Sequence, residues 1–128
     1  MAEFRIQKKT KLTFDQALAK VAEALKAEGF GILTQIDVQA TLKEKIGAAF
    51  RPYRILGACN PKLAFRALTS ELEVGVMLPC NVIVYEGDDG KAVVCAIDPM
   101  ATIAATHPGL NVIAGEVKFA LQRALSAV

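Results

Sequence analysis

The chain has 128 residues, a formal net charge of +2 and 53% hydrophobic residues, and three of its residues are cysteines. A chain of this length fits one domain over residues 1–128 and buries roughly two thirds of its unfolded surface, so it needs neither a disulfide nor a metal to fold. The balanced charge argues against a dedicated nucleic-acid binder, no apolar run is long enough to cross a membrane, and an odd number of cysteines favours reduced thiols in the cytoplasm over a disulfide framework.

The beginning of the chain predicts a strand followed by a helix. In residues 3–10, apolar and polar side chains alternate, which is the pattern of a strand. Thr13 and Gln16 then have the spacing of a capping box, so a helix begins after Thr13. Gly29 ends this helix, because glycine readily adopts the left-handed conformation found just after a helix.

A second strand and a short helix are predicted next. Residues 31–39 alternate between apolar and polar side chains, so they form a strand with one wet face. Its apolar face consists of Ile32, Ile36 and Val38. Thr41 and Glu44 have the spacing of another capping box, which predicts that the short helix begins there with Leu42 and Ile46 directed inward.

The middle of the chain predicts an interior strand that leads into a helix. Residues 53–59 are apolar on both faces, as is typical of a strand with neighbours on both sides. Asn60 and Pro61 predict the helix start, because an asparagine side chain caps well and proline fits the first helical position. The buried stripe predicted for this helix consists of Leu63, Ala64, Ala67 and Leu68.

A hairpin is predicted in the second half of the chain. Residues 74–85 have the composition of a strand, but Pro79 interrupts it because proline cannot donate a hydrogen bond to a neighbouring strand. The acidic and glycine-rich residues 86–90 form the turn, and residues 91–97 form the returning strand. Asp98 then caps a short helical turn.

A last helix over residues 111–127 completes the predicted fold. Its inward stripe consists of Ile113, Ala114, Val117, Ala120, Leu121 and Ala124. The order β-α-β-α-β-α-β-β-α predicts an α+β fold, in which a mainly antiparallel or mixed sheet of about five strands has helices packed on one face. The other face is then available for dimerisation or for a ligand.

Four segments together resemble a known family. They are residues 29–37 (GFGILTQID), 53–61 (YRILGACNP), 78–86 (LPCNVIVYE) and 97–99 (IDP). The combination is similar to the family catalogued as domain of unknown function 302. The resemblance implies a small α+β fold related to the TATA-binding-protein-like group, and a homodimer. The biochemistry of that family is unassigned, so no catalytic residue is carried over, and DNA binding does not follow from the fold.

Two cysteine–asparagine pairs mark the candidate site. Cys59 ends the third predicted strand and Asn60 follows it, while Cys80 and Asn81 follow Pro79. If these strands are neighbours, the two sulfur atoms share a pocket. Cys59 also precedes a helix N-terminus, where the helix dipole lowers the pKa of a thiol. Each cysteine has the alternative role of a small buried hydrophobic residue, Asn60 that of a helix cap, and Asn81 that of a partner for backbone groups.

Three further side chains complete the predicted site. Arg51, Tyr53 and Arg54 lie close in sequence to the same helix start, where an anion such as phosphate or carboxylate binds well. The leading hypothesis is therefore a binding module that holds a small ligand or an anion. The predicted ligand-binding residues are Cys59, Asn60, Cys80, Asn81, Arg51, Tyr53 and Arg54.

Two alternatives stay open. In the first, Cys59 and Cys80 carry out thiol redox chemistry or bind a soft metal. In the second, the protein is a structural or partner-binding homodimer without a small-molecule site. The cysteines lack the close spacing of a zinc site and His107 is the one histidine, so the sequence predicts no metal and no cofactor. It contains no pattern of a known catalytic site, which favours binding over catalysis, and Cys95 is predicted to be core.

Overall fold

The computed structural model describes residues 4–128. Its strands are β1 (Arg5–Lys9), β2 (Gly31–Asp37), β3 (Tyr53–Cys59), β4 (Cys80–Glu86) and β5 (Ala92–Ile97), and its α-helices are α1 (Phe14–Ala27), α2 (Val38–Ile46), α3 (Pro61–Ser70) and α4 (Asn111–Ser126). The predicted α+β class and element order are confirmed. Glu3, which was included in the predicted first strand, lies outside the described residues.

The five strands form one sheet in the order β1-β5-β4-β3-β2, and every neighbouring pair is antiparallel. Alternate side chains of each strand face α1 and α4, because successive residues of a strand point to opposite faces. The largest fully buried side chains on this side are Leu56, Val82, Val84 and Val94 of the strands and Val21, Leu25, Leu121 and Leu125 of the helices. This cluster is the main hydrophobic core.

A second buried cluster lies beside the main core, under α3 and the start of α4. It contains Ala67, Val74, Ala104, Leu110, Ile113 and Ala114. Val117 packs against both clusters and so joins them. The predicted inward stripe of α4 is confirmed by this packing, whereas Leu68 of the predicted α3 stripe is 36% exposed.

The predicted helix ends are confirmed at three places. Thr13 Oγ1 accepts from the Gln16 backbone N–H at 3.2 Å, and Gln16 Oε1 accepts from the Thr13 N–H at 3.0 Å, which completes the capping box of α1. Gly29 follows α1 with a φ of 86°. Asn60 Oδ1 accepts from the Leu63 N–H at 3.3 Å and caps α3.

The end of the second strand was predicted wrongly. β2 stops at Asp37, whose carboxylate accepts from the Ala40 N–H at 3.0 Å and starts α2 at Val38, ahead of the predicted start at Thr41. Ile46, which was predicted to face inward, is 73% exposed.

A bulge in β2 also changes the predicted faces. The pairing register shifts between Ile32 and Thr34. Ile32 therefore lies opposite Ala58 on the helix side, whereas Ile36 lies opposite Ile55 on the other side. An extra residue in one strand reverses the alternation beyond it, so Ile32 and Ile36 do not share a face as predicted.

The strand predicted over residues 74–85 is shorter than expected. Leu72–Met77 forms a 3₁₀ helix that buries Val74 in the second cluster, and the Leu78–Pro79 peptide bond is cis. β4 begins only at Cys80. The apolar residues before Pro79 are used for packing under α3 and not for strand pairing.

The side of the sheet away from α1 and α4 is apolar over much of its area. We call it the open sheet face and define it by Ile36, Tyr53, Ile55, Ile83, Tyr85, Val93 and Cys95, none of which belongs to either buried cluster. Cys95 is buried, as predicted, but lies on this face. Among the described residues, no helix is both long and apolar enough to cross a bilayer.

Candidate functional site

Cys59 and Cys80 line one small cavity at the end of the sheet. Cys59 is the last residue of β3, and Cys80 is the first residue of β4 and pairs with Ala58. The cavity has a volume of about 50 Å³. Besides the two cysteines it is lined by Asn60, Pro79, Leu78, Leu63, Ala64, Ala67, Phe30, Ala58, Ile113 and Val117. Both cysteines thus line the same cavity, and their role in ligand binding stays a prediction.

The Cys80 thiol is uncharged at neutral pH. Burial, as the larger cause, and the neighbouring Cys59 together raise the pKa of Cys80 to about 11. A thiolate is the form that attacks electrophiles and binds metals. The wall that Cys80 contributes to the cavity is therefore neutral and weakly polar.

Asn60 is held by two hydrogen bonds at the edge of this cavity. Its oxygen caps α3, and its Nδ2 donates to the backbone carbonyl of Glu28 at 3.4 Å. A Cβ on Gly29 would lie 3.0 Å from the same Nδ2 atom. The amide therefore ties the end of α1 to the start of α3, and the close approach of Gly29 keeps it in place.

Gly57 allows Pro79 to form the wall of the cavity. A Cβ on Gly57 would lie 2.8 Å from Pro79 Cγ and would overlap Thr34 Oγ1. Any larger residue would therefore displace one of these two side chains. The position of Pro79 against β3 depends on the absence of a side chain at residue 57.

Asn81 and Tyr53 lie elsewhere, on the open sheet face. They line a shallow hollow of about 330 Å³ together with Ile83 and Tyr85. The rings of Tyr53 and Tyr85 stack with a centroid distance of 5.6 Å. Burial raises the pKa of Tyr53, and the nearby Cys95 and Tyr85 contribute in the same direction. These residues do not line the cysteine cavity.

Arg51 and Arg54 form hydrogen bonds and ion pairs at the end of β3 opposite Cys59. Arg51 Nη1 donates to the Glu86 carbonyl at 3.1 Å and pairs with Asp88 at 3.0 Å. Arg54 donates to Gln35 Oε1 at 2.6 Å and lies 3.4 Å from the carboxylate of Asp37. The structure thus divides the predicted site: Cys59, Asn60 and Cys80 lie together, and Asn81, Tyr53 and the two arginines lie apart from them.

Sequence reasoning missed a surface groove that borders the cavity. The groove lies between α3 and α4 and has a volume of about 940 Å³. Its charged residues are Glu28, Lys62, Arg66, Glu116 and Arg123. Asn60 and Leu63 line both the groove and the cavity, so they form the boundary between the two. The buried stripes of α3 and α4 were visible in the sequence, but nothing there indicated that the helices leave a groove.

A second apolar cavity lies on the other side of Cys80. It has a volume of about 80 Å³ and extends under the 3₁₀ helix Leu72–Met77 and the start of α4. Five residues line both cavities and form the partition between them. They are Ala67, Leu78, Cys80, Ile113 and Val117. Thr102, a polar residue in this lining, donates its hydroxyl hydrogen to the Pro99 carbonyl.

The described residues offer no evident metal-binding cluster. Within residues 4–128, no three side chains of His, Cys, Asp or Glu are grouped so that they could hold a metal ion. His107 accepts from the Gly109 N–H at its Nδ1, and its Nε2 lies 3.7 Å from Glu71. Cys59, Cys80 and Cys95 are free thiols.

Comparison with known proteins identifies relatives without a stated activity. A family model described as "Domain of unknown function DUF302" matches residues 6–128. The chain is also similar to the crystal structure of an uncharacterized conserved protein DUF302 from Bacillus stearothermophilus. The two are 31% identical with a TM-score of 0.90, and the match covers 98% of each chain. No curated protein matches the chain.

Proposed function

The chain belongs to the DUF302 family, and from its own geometry we propose that it is a binding module for a small molecule. The apolar part of this molecule enters the cavity between Cys59 and Cys80. The observation that supports the proposal is the joint lining of one cavity by the ends of β3 and β4. Because the lining is apolar apart from two thiols and an amide that is already hydrogen-bonded, the part of the ligand that enters is uncharged.

The thiol alternative has less support. Redox exchange and soft-metal binding both require a thiolate. With a pKa of about 11, Cys80 carries almost no negative charge at pH 7. Redox exchange or metal binding by Cys80 would therefore require the free energy needed to ionise its thiol, whereas binding of an uncharged ligand in the cavity would not.

Ligand screening with a blocked variant tests the proposal. Wild-type protein, Ala64→Val and Ala40→Val are screened against neutral and anionic small molecules by ligand-observed NMR. Ala64 lines the cavity, and its replacement by valine adds two carbon atoms there. Ala40 is an exposed helical residue, so the same replacement serves as a control. We expect ligands that bind wild type and Ala40→Val but not Ala64→Val. The proposal would be contradicted if the ligands bound all three proteins equally, or if no compound bound the wild type.

A second candidate function, self-association as a homodimer, is favoured by the open sheet face. Five strands about 4.8 Å apart, each about six residues long, give a flat area of about 480 Å². The accessible area of the side chains on it is larger, and a standard interface buries about 800 Å² per partner. Ile36 on this face is 48% exposed, and Ile55 and Ile83 are only partly buried. A second copy of the chain, packed face to face, would remove this apolar surface from water.

The mass of the protein in solution tests the dimer. Ile83→Lys places a charge at the centre of the open sheet face, and Val112→Lys places one on α4, where Val112 is 66% exposed. Sedimentation velocity at micromolar concentration should show a dimer for wild type and Val112→Lys and a monomer for Ile83→Lys. A monomeric wild type would refute the dimer, and a dimer that only Val112→Lys disrupts would assign the interface to the helices.

A cytoplasmic location, expected from the sequence, also stays a prediction.

A further inference from the structure

The charged groove and the two cavities beside Cys80 share lining residues, and so they form a line of adjoining spaces from the groove to the first cavity and then to the second. The groove meets the first cavity at Asn60 and Leu63, and the first cavity meets the second at the partition that contains Cys80. A molecule that follows this line passes from a charged surface into an apolar interior. On the basis of the function proposed above, we propose that the ligand is a short unbranched aliphatic carboxylate, with its chain in the two cavities and its carboxylate in the groove.

The sizes of the cavities indicate an unbranched chain. They measure about 50 Å³ and about 80 Å³, and a water-sized or methylene-sized group needs roughly 30 Å³. Together they have room for about four such groups, placed one after another. The partition between them contains Ala67, Leu78 and Cys80. The proposal requires that the side chains of Leu78 and Cys80 change rotamer when the chain binds, so that the two cavities join. The first cavity, at about 50 Å³, has room for fewer than two such groups, so a branched group would not fit in it.

The charges in the groove indicate a negatively charged head group. Arg66 is paired with Glu116 at 2.6 Å, and Arg123 is paired with Glu28 at 2.8 Å. Lys62 is exposed and forms no ion pair with any residue of the described chain. The groove therefore has one positive charge in excess, next to Leu63 at the mouth of the cavity. A single carboxylate complements this charge.

A chain-length series separates the parts of this proposal. Dissociation constants are measured by NMR titration for butanoate, hexanoate and octanoate, and for the alcohols with the same chains. Each methylene that enters the cavities should tighten binding about fourfold, and the gain should end once about four methylene groups are buried. Carboxylates should bind about fivefold more tightly than alcohols, since Lys62 is exposed and its contribution is modest.

Three variants assign these effects to residues. Ala114 lines only the second cavity, so Ala114→Leu should abolish the gain with chain length while short chains still bind. Lys62→Gln should remove the preference for carboxylates, whereas Lys91→Gln, on the distant hairpin, should retain it. Equal binding of all chain lengths would overturn the chain assignment, and equal binding of acids and alcohols would overturn the head-group assignment. Absence of binding by every compound, when the screen described above finds other ligands that Ala64→Val excludes, would overturn the aliphatic ligand and leave the proposed function standing; absence of any ligand in both experiments would overturn the proposed function.

Discussion

The protonation state of Cys80 gives the most specific prediction. A thiol with a pKa of about 11 is about 0.1% ionised at pH 8, whereas an ordinary cysteine with a pKa of about 8.5 is about 24% ionised. The thiolate fraction of Cys80 at pH 8 is therefore about 200-fold lower than normal. Because the thiolate is the reactive form, alkylation of Cys80 should be slow at neutral pH and should rise steeply up to about pH 11.

The assay uses a chain in which Cys80 is the remaining cysteine. In the variant Cys59→Ser with Cys95→Ser, the rate of iodoacetamide addition is measured from pH 7 to pH 11 by mass spectrometry. Burial is the main cause of the shift, so the midpoint should stay well above 8.5 even without Cys59. The same variant unfolded in guanidinium is the control and should have a midpoint near 8.5. A native midpoint equal to the unfolded one would refute the description of Cys80 as a partly buried thiol that stays neutral.

Three further predictions concern stability, each measured by urea denaturation. Gly57→Ala should lower the free energy of unfolding by about 1–3 kcal/mol, because the new methyl group displaces the side chain of Pro79 or of Thr34. Gly115→Ala is the control: its new methyl group meets open space in α4, so it should not be destabilising. Asn60→Ala should cost about 1 kcal/mol through loss of the helix cap, and an unchanged free energy of unfolding would contradict the role of this amide as the cap of α3. The pKa of Cys80 is higher in the folded than in the unfolded protein, so the stability that the neutral thiol contributes is present below about pH 8.5 and is lost between about pH 8.5 and about pH 11. The free energy of unfolding of wild type should therefore fall more over this range than that of Cys80→Ala. Equal losses in the two proteins would contradict the raised pKa of Cys80.

Local sequence patterns predicted much of the fold. The caps at Thr13 and Asn60 and the left-handed Gly29 depend on residues within one helical turn, so they could be read directly. The bulge in β2 could not, because it depends on pairing with β3. The helix start at Asp37 was missed because Thr41 and Glu44 offered a second capping pattern four residues later, and the structure uses the first.

The candidate site was only partly predictable, for a simple geometric reason. Cys80 and Asn81 are consecutive residues of β4, so their side chains must point to opposite faces of the sheet. This alternation does not apply to Cys59 and Asn60, because β3 ends at Cys59, so both can line the same cavity. The alternation could have separated Asn81 from Cys80 in advance. The groove and the second cavity could not be predicted, since they depend on how α3 and α4 pack.

A crystal structure determined under xenon pressure tests the central claim most directly, since xenon enters apolar cavities without needing a specific contact. We predict a xenon atom in the cavity between Cys59 and Cys80 in the wild-type protein, and none there in Ala64→Val crystals treated in the same way. Xenon found only on the open sheet face, or an unchanged xenon site in Ala64→Val, would contradict the assignment of this cavity as the binding site.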